Sequence, residues 1–200
     1  MEVYKKGATR FNNERSSRFA DIHDMADKSG YVGKEIPFPQ TELSRTGSTF
    51  EQIKERAIRA SELMDKYLKY YLPNYYFTFK EADGQGNSAS LIYFMEEVRS
   101  SKQPPPAEWM DSFLYQCCKM HLATKEQYGG FGVDLNKVEN LKFGTTVSNP
   151  STAKLYLVDL YPSYFNMPAQ RLQMQISELM GIYGGIKSFP RILSIIDKIK

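Results

Sequence analysis

Phe131-Gly-Val-Asp-Leu-Asn-Lys-Val-Glu-Asn-Leu-Lys-Phe-Gly144, with the run Lys154-Leu-Tyr-Leu-Val-Asp159 beyond it, is the stretch from which the rest of the chain is read. Leu141-Lys-Phe143 and Lys154 to Val158 have the apolar and aromatic content of short strands. The residues from Gly144 to Ser151, Asn149-Pro150 among them, are turn formers, so a hairpin is predicted. Its first strand begins just after Asn140 and its second ends at Asp159, which brings both residues to one end of the hairpin, with Asp134 shortly before them. Phosphoryl transfer requires an acidic group that orients or deprotonates an acceptor, together with oxygen ligands that hold magnesium against phosphate. Asp134, Asn140 and Asp159 offer that set. They also suit bends: Asp134 and Asn140 can close a turn after Gly129-Gly130, and Asp159 can open one before Pro162.

Working upstream, Met110, Phe113, Leu114, Cys117 and His121 recur at steps of three and four, which predicts a helix from Ala107 that ends before Tyr128-Gly129-Gly130. Arg99 to Pro106, ending in Pro104-Pro-Pro106, reads as a connector that holds neither strand nor helix. Before it, Tyr75-Tyr-Phe-Thr-Phe-Lys80 and Leu91-Ile-Tyr-Phe-Met95 flank Asp83-Gly-Gln-Gly-Asn87, an antiparallel hairpin. A long helix precedes that hairpin. Ser48-Thr-Phe-Glu51 fits a capping box, and Ile53, Ala57, Ala60, Met64, Tyr67 and Tyr71 share one face until Pro73 stops the helix. Residues 1 to 48 are less regular: a short strand is expected at Glu2–Lys6, and Phe19, Ile22 and Met25 form a sparse helical stripe within Arg18–Lys28. Downstream, Leu172, Ile176, Leu179, Met180 and Tyr183 define another helix, Gly184-Gly185 breaks it, and Pro190 suits the first turn of a last one.

Composition narrows the function classes. With 42% hydrophobic and 24% charged residues, the chain is one that folds. A formal net charge of +3 is too slight an excess for a nucleic-acid reader, and Lys and Arg are scattered. No run reaches the ~18 apolar residues of a membrane span, and Met1-Glu-Val-Tyr-Lys-Lys6 lacks the core of a signal peptide, so neither a membrane nor a nucleic-acid partner is expected and the expected compartment is cytoplasmic. The two cysteines, Cys117 and Cys118, are adjacent and read as small packed thiols.

In order and content these features resemble a protein-kinase-like fold, the group that includes small atypical and aminoglycoside-type kinases, over roughly residues 50 to 162. Leu91-Ile-Tyr-Phe-Met-Glu-Glu-Val98 is similar to that family's fifth strand and hinge, and Asp134-Leu135 with Glu139-Asn140-Leu141 to its catalytic loop. Val158-Asp159-Leu160 is similar to the segment that carries its metal-binding aspartate. The resemblance implies an abbreviated two-lobed α+β fold: an amino-terminal lobe over 1–98 with one long helix (about 49–72) and a hairpin (about 75–98), a connector at 99–106, and a mostly helical carboxy-terminal lobe over 107–200 holding the catalytic-loop-like segment 131–160. It implies ATP and Mg²⁺, with Asp134 as catalytic aspartate and Asn140 and Asp159 as metal ligands. Met95, Glu96 and Glu97 would lie at the adenine edge and Glu62 would be the lysine-pairing glutamate, although Glu62 is also placed to be a surface partner of Lys66 at i, i+4. Lys5, Lys6 and Lys34 compete for the phosphate-binding role.

The departures are specific. Phe131-Gly-Val133 stands where the family keeps its histidine, Asp134 to Asn140 is one residue longer than the family spacing, and no glycine-rich loop precedes a candidate lysine. By the resemblance, the expected function is an ATP- and Mg²⁺-dependent phosphotransferase acting on an unidentified hydroxyl acceptor. The alternatives are a catalytically inactive kinase-like module with a protein partner, and an unrelated α+β interaction protein.

Overall fold

A computed structural model describes residues 11–17, 20–25, 30–82, 88–135, 137–160 and 163–183. The strand expected at Glu2–Lys6, the candidates Lys5 and Lys6, and the last helix expected from Pro190 lie outside them. The architecture is mixed α and β, with small antiparallel sheets. No helix among the described residues is long and apolar enough to cross a membrane. The described residues divide into two compact units: one runs up to Arg59 and takes in Pro73–Glu97 and Thr146–Ser148, and the other holds Ala60–Leu72, Val98–Thr145 and the chain from Asn149 onward. Residues 60–72, which the sequence groups with the amino-terminal lobe, thus belong to the second unit.

The first unit is built on a five-stranded antiparallel sheet of β1 (Phe11–Ser17), β2 (Ala20–Met25), β3 (Tyr31–Phe38), β4 (Tyr75–Lys80) and β5 (Ala89–Glu96), in the order β1-β2-β3-β5-β4. The β4/β5 hairpin has the register Tyr75↔Met95 to Lys80↔Ser90. Strand β2 replaces the sparse helical stripe expected over Arg18–Lys28. It is paired on both sides, to β1 and to β3, and those ladders supply main-chain partners that three apolar residues at helical spacing do not outweigh. Between β3 and β4 the chain forms α1 (Gln40–Thr46) and α2 (Phe50–Leu68), and a single 3₁₀ turn, Lys69–Tyr71, runs up to Pro73. The capping box is one residue later than expected: Thr49 N–H donates to Gln52 Oε1 (3.0 Å) and Gln52 N–H to Thr49 Oγ1 (3.2 Å), because Phe50 is already helical.

Register places Lys34, Ile36 and Phe38 of β3 on one sheet face with Leu91, Tyr93 and Met95 of β5 and Phe77 and Phe79 of β4. Phe50 of α2 covers this face, 5.9 Å from the Phe38 ring and 6.2 Å from the Phe79 ring between centroids. Ile36, Ile53, Ala57, Phe77, Leu91 and Tyr93 are buried, a core in which rings carry much of the area.

The second unit centres on α3 (Ala107–Ala123), whose Met110, Phe113, Leu114, Cys117, Cys118, Met120 and His121 are all buried. A one-turn helix α4 (Lys125–Tyr128) and two small sheets follow. The short strand β6 (Arg99–Ser100) pairs with β8 (Leu141–Thr145), which pairs in turn with β9 (Lys154–Leu157). Arg99 and Ser100 therefore do hold a strand, contrary to the connector reading. The prolines begin only at Pro104, so both residues can join a ladder, and Gly144 admits the strand, since a Cβ there would sit 2.1 Å from the Arg99 carbonyl oxygen. The other sheet pairs β7 (Phe131–Val133) with β10 (Ser163–Phe165). The helix α5 (Ala169–Tyr183) buries Leu172, Ile176 and Leu179, as its stripe predicts.

Candidate functional site

Asp134 stands at the exit of β7, and the chain before it is fixed by close packing. Thr124, at the end of α3, donates its hydroxyl to the Met120 carbonyl (2.8 Å) and accepts from the Phe131 N–H (2.8 Å), tying helix end to strand start. Gly130 has φ of +92°, and a Cβ there would lie 2.3 Å from the His121 ring. Only glycine satisfies both demands. Gly132 likewise leaves room for Met167, whose sulfur a Cβ would meet at 2.1 Å. His121 is buried, as a packed histidine should be. Burial lowers its pKa, Lys125 adds to the effect, and a hydrogen bond to the Phe131 main chain opposes it.

The chain turns after Asp134 through the 3₁₀ turn Val138–Asn140 and enters β8. Asn140, 4% exposed, donates from Nδ2 to the Asp134 carbonyl oxygen (3.1 Å), and its own carbonyl accepts the Val158 N–H (2.8 Å). One asparagine thus ties the Asp134 backbone to the end of β9, next to Asp159. With its nitrogen donating to main chain, the amide keeps Oδ1 as its acceptor atom. That oxygen and the Asp159 carboxylate are hard ligands of the type magnesium takes. No group of three or more His, Cys, Asp and Glu side chains that could hold a metal occurs among the described residues.

Two further residues belong here. Tyr164 of β10 stands opposite Gly132 of β7, and its pKa is raised by burial and by the charges of Asp134 and Asp159. Arg171 of α5 lies over the Tyr164 ring, 4.0 Å from its centroid, and its charge opposes that rise. The two sit beyond the hairpin in sequence, and the β7/β10 ladder sets Tyr164 across from Gly132, two residues before Asp134.

The remaining candidates occupy other places. Glu62 is exposed on the part of α2 that belongs to the second unit. Lys34, Met95, Glu96 and Glu97 belong to the first unit. Lys34 is half-buried opposite Tyr93, and Met95 is buried. Glu96, 2% exposed, is a clamp: its Oε1 accepts the Ser148 N–H (2.9 Å), and its Oε2 accepts the Ser148 hydroxyl (2.7 Å) and the Asn74 N–H (3.3 Å). Tyr31 is pushed above the usual phenol pKa, first by burial and then by this carboxylate. The main-chain N–H of Glu96 donates to Asn74 O (2.9 Å) and that of Glu97 to Gly30 O (2.8 Å). Neither N–H is left for an adenine edge, which at this strand end would have to meet carbonyl oxygens or backbone beyond Glu97.

Compared with known proteins, the chain matches no family model and no curated sequence.

Proposed function

We propose that the protein is an ATP- and Mg²⁺-dependent phosphotransferase of abbreviated kinase-like architecture, with a hydroxyl group as acceptor. The observation that carries this reading is the Asn140 junction, which links the Asp134 backbone to the residue before Asp159 (3.1 and 2.8 Å). A meander of β1, β2 and β3, two helices, then the β4/β5 hairpin slotted in the order β1-β2-β3-β5-β4 supports the architecture.

In this mechanism the Asp134 carboxylate orients the acceptor hydroxyl and takes its proton as the oxygen bonds to the γ-phosphorus and the bond to the ADP oxygen breaks. Asn140 Oδ1 and the Asp159 carboxylate hold magnesium. When bound, the metal neutralises charge on the phosphate oxygens. Of the candidate lysines, Lys34 lies among the described residues, on a strand paired along both edges.

Asp159→Ala is expected to abolish magnesium-dependent nucleotide binding, and Asp134→Ala to leave binding intact while removing turnover. Unchanged turnover in Asp134→Ala would refute the assignment. The committed N–H groups of Glu96 and Glu97 favour a second reading, a kinase-like module that binds a protein and no nucleotide. Thermal melting with MgATP separates the two, since a ligand at 100 times its Kd stabilises by about 2.7 kcal/mol, a shift of several degrees.

A further inference from the structure

We propose that Arg171, held in place by Tyr164, is an anion-binding residue of the second unit and takes a phosphate-type oxyanion beside Asp134 and Asp159. The inference extends the phosphotransfer reading to a ligand-binding side chain that the hairpin itself does not supply.

Four observations carry it. The guanidinium is held by stacking on the Tyr164 ring at 4.0 Å, an arrangement that presets its planar fork of N–H donors. The stack leaves its N–H donors over, and the ion pairs among the described residues do not include Arg171. It stands in the first turn of α5, which contains no acidic residue, so a cation sits at the positive end of a helix dipole. An anion at that place would satisfy both. Finally, Tyr164 is cross-strand from Gly132, two residues before Asp134, so the pair flanks the carboxylate assigned to the acceptor.

The oxyanion has two possible sources, a phosphate of the nucleotide or an anionic group on the acceptor, and binding measurements on the full chain separate them. Inorganic phosphate is titrated against the parent protein, Arg171→Gln, Arg171→Lys and Tyr164→Phe, each first checked for an unchanged far-UV spectrum and melting point. Phosphate is expected to bind the parent and to lose at least 10-fold affinity in Arg171→Gln. Arg171→Lys, which keeps the charge without the fork, should lose a few-fold, whereas Tyr164→Phe, which keeps the stack, should lose little. MgATP is then titrated with and without saturating phosphate. Competition, with weaker MgATP binding in Arg171→Gln, assigns the residue to the nucleotide. Simultaneous binding assigns it to the acceptor. Phosphate binding that depends on Arg171 in a protein with no affinity for MgATP would sink the nucleotide reading and leave this proposal standing. Equal phosphate affinity in parent and Arg171→Gln, or no phosphate binding together with unchanged MgATP affinity, overturns it.

Discussion

Replacing Glu96 by Gln tests whether a buried carboxylate holds the 146–148 loop in the first unit. In the parent, Oε1 takes the Ser148 N–H while Oε2 takes the Ser148 hydroxyl and the Asn74 N–H. A glutamine has one oxygen and one NH₂, so in either orientation a main-chain N–H faces another donor. Hydrogen bonds to a charged group are worth about 1.5–3 kcal/mol, and losing one while opposing two donors places the expected loss near 2 kcal/mol. For a chain of this length that lowers Tm by roughly 4–8 °C. Ser148 is exposed, so water replaces its hydroxyl partner in Ser148→Ala, and the cost there falls to about 1 kcal/mol. The double variant decides the matter, because side chains in direct contact deviate from additivity by at least about 0.5 kcal/mol. Since the Ser148 hydroxyl also lies 3.2 Å from Thr146 Oγ1, Thr146→Val serves as the control for that contact. Should Glu96→Gln and Ser148→Ala add to within ~0.3 kcal/mol in melting or urea titration, the clamp is wrong.

Three further outcomes follow from packing. His121 has a folded pKa below its ordinary value, so the unfolded chain binds the proton first; stability from this residue is complete above about pH 6.5 and declines as pH falls from there toward the lowered value. Melting curves between pH 8 and 5 should show that decline flattened in His121→Gln, and parallel profiles would contradict the assignment. Gly130→Ala combines a positive φ with a collision against the His121 ring and is expected to cost about 2 kcal/mol or more, read as a drop in Tm; a neutral result would show that the ring moves freely. Burial pushes the Cys118 thiol up to about 12 and that of Cys117 well above its usual range, so neither should react with a thiol reagent at pH 8 until the chain is unfolded; rapid labelling of the native protein would contradict their burial.

Where a strong local signal existed, the elements were legible in the sequence. The stripe from Ile53 to Tyr71 with Pro73 behind it marks α2, the aromatic run before Asp83-Gly84 marks the β4/β5 hairpin, and the three-and-four spacing from Met110 marks α3. Strands β1 to β3 were opaque because their own residues argue against them. Asn12-Asn13 and Ser16-Ser17 are weak strand formers, and β3 carries both Gly33 and Pro37. The ladders override those preferences, and Pro37 is tolerated since the β2 ladder stops at Glu35, leaving an edge where its missing N–H removes no β2 bond. In the candidate site, Asp134, Asn140 and Asp159 could be picked out because one hairpin connects them. Tyr164 and Arg171 could not, since nothing short-range signals the pairing of β10 with β7. The use of Glu96 as a clamp was hidden for the same reason: its partner Ser148 lies far along the chain.

The ladder of β7 and β10 joins Val133 to Ser163 and encloses everything from Asp134 through Asp159. The closing element is only three residue pairs long, yet the excursion it ties off contains all three oxygen donors. Closing so long a detour costs chain entropy before many contacts form in return, which puts this event late in the order of assembly. The hairpin of β8 and β9 can nucleate by itself, whereas the junction that joins it to Phe131–Val133 must wait for distant residues to arrive. Amide protons of Gly132 and Val133 are then expected to gain protection during refolding later than those of the β8/β9 hairpin, whereas the Phe131 N–H is held locally by Thr124.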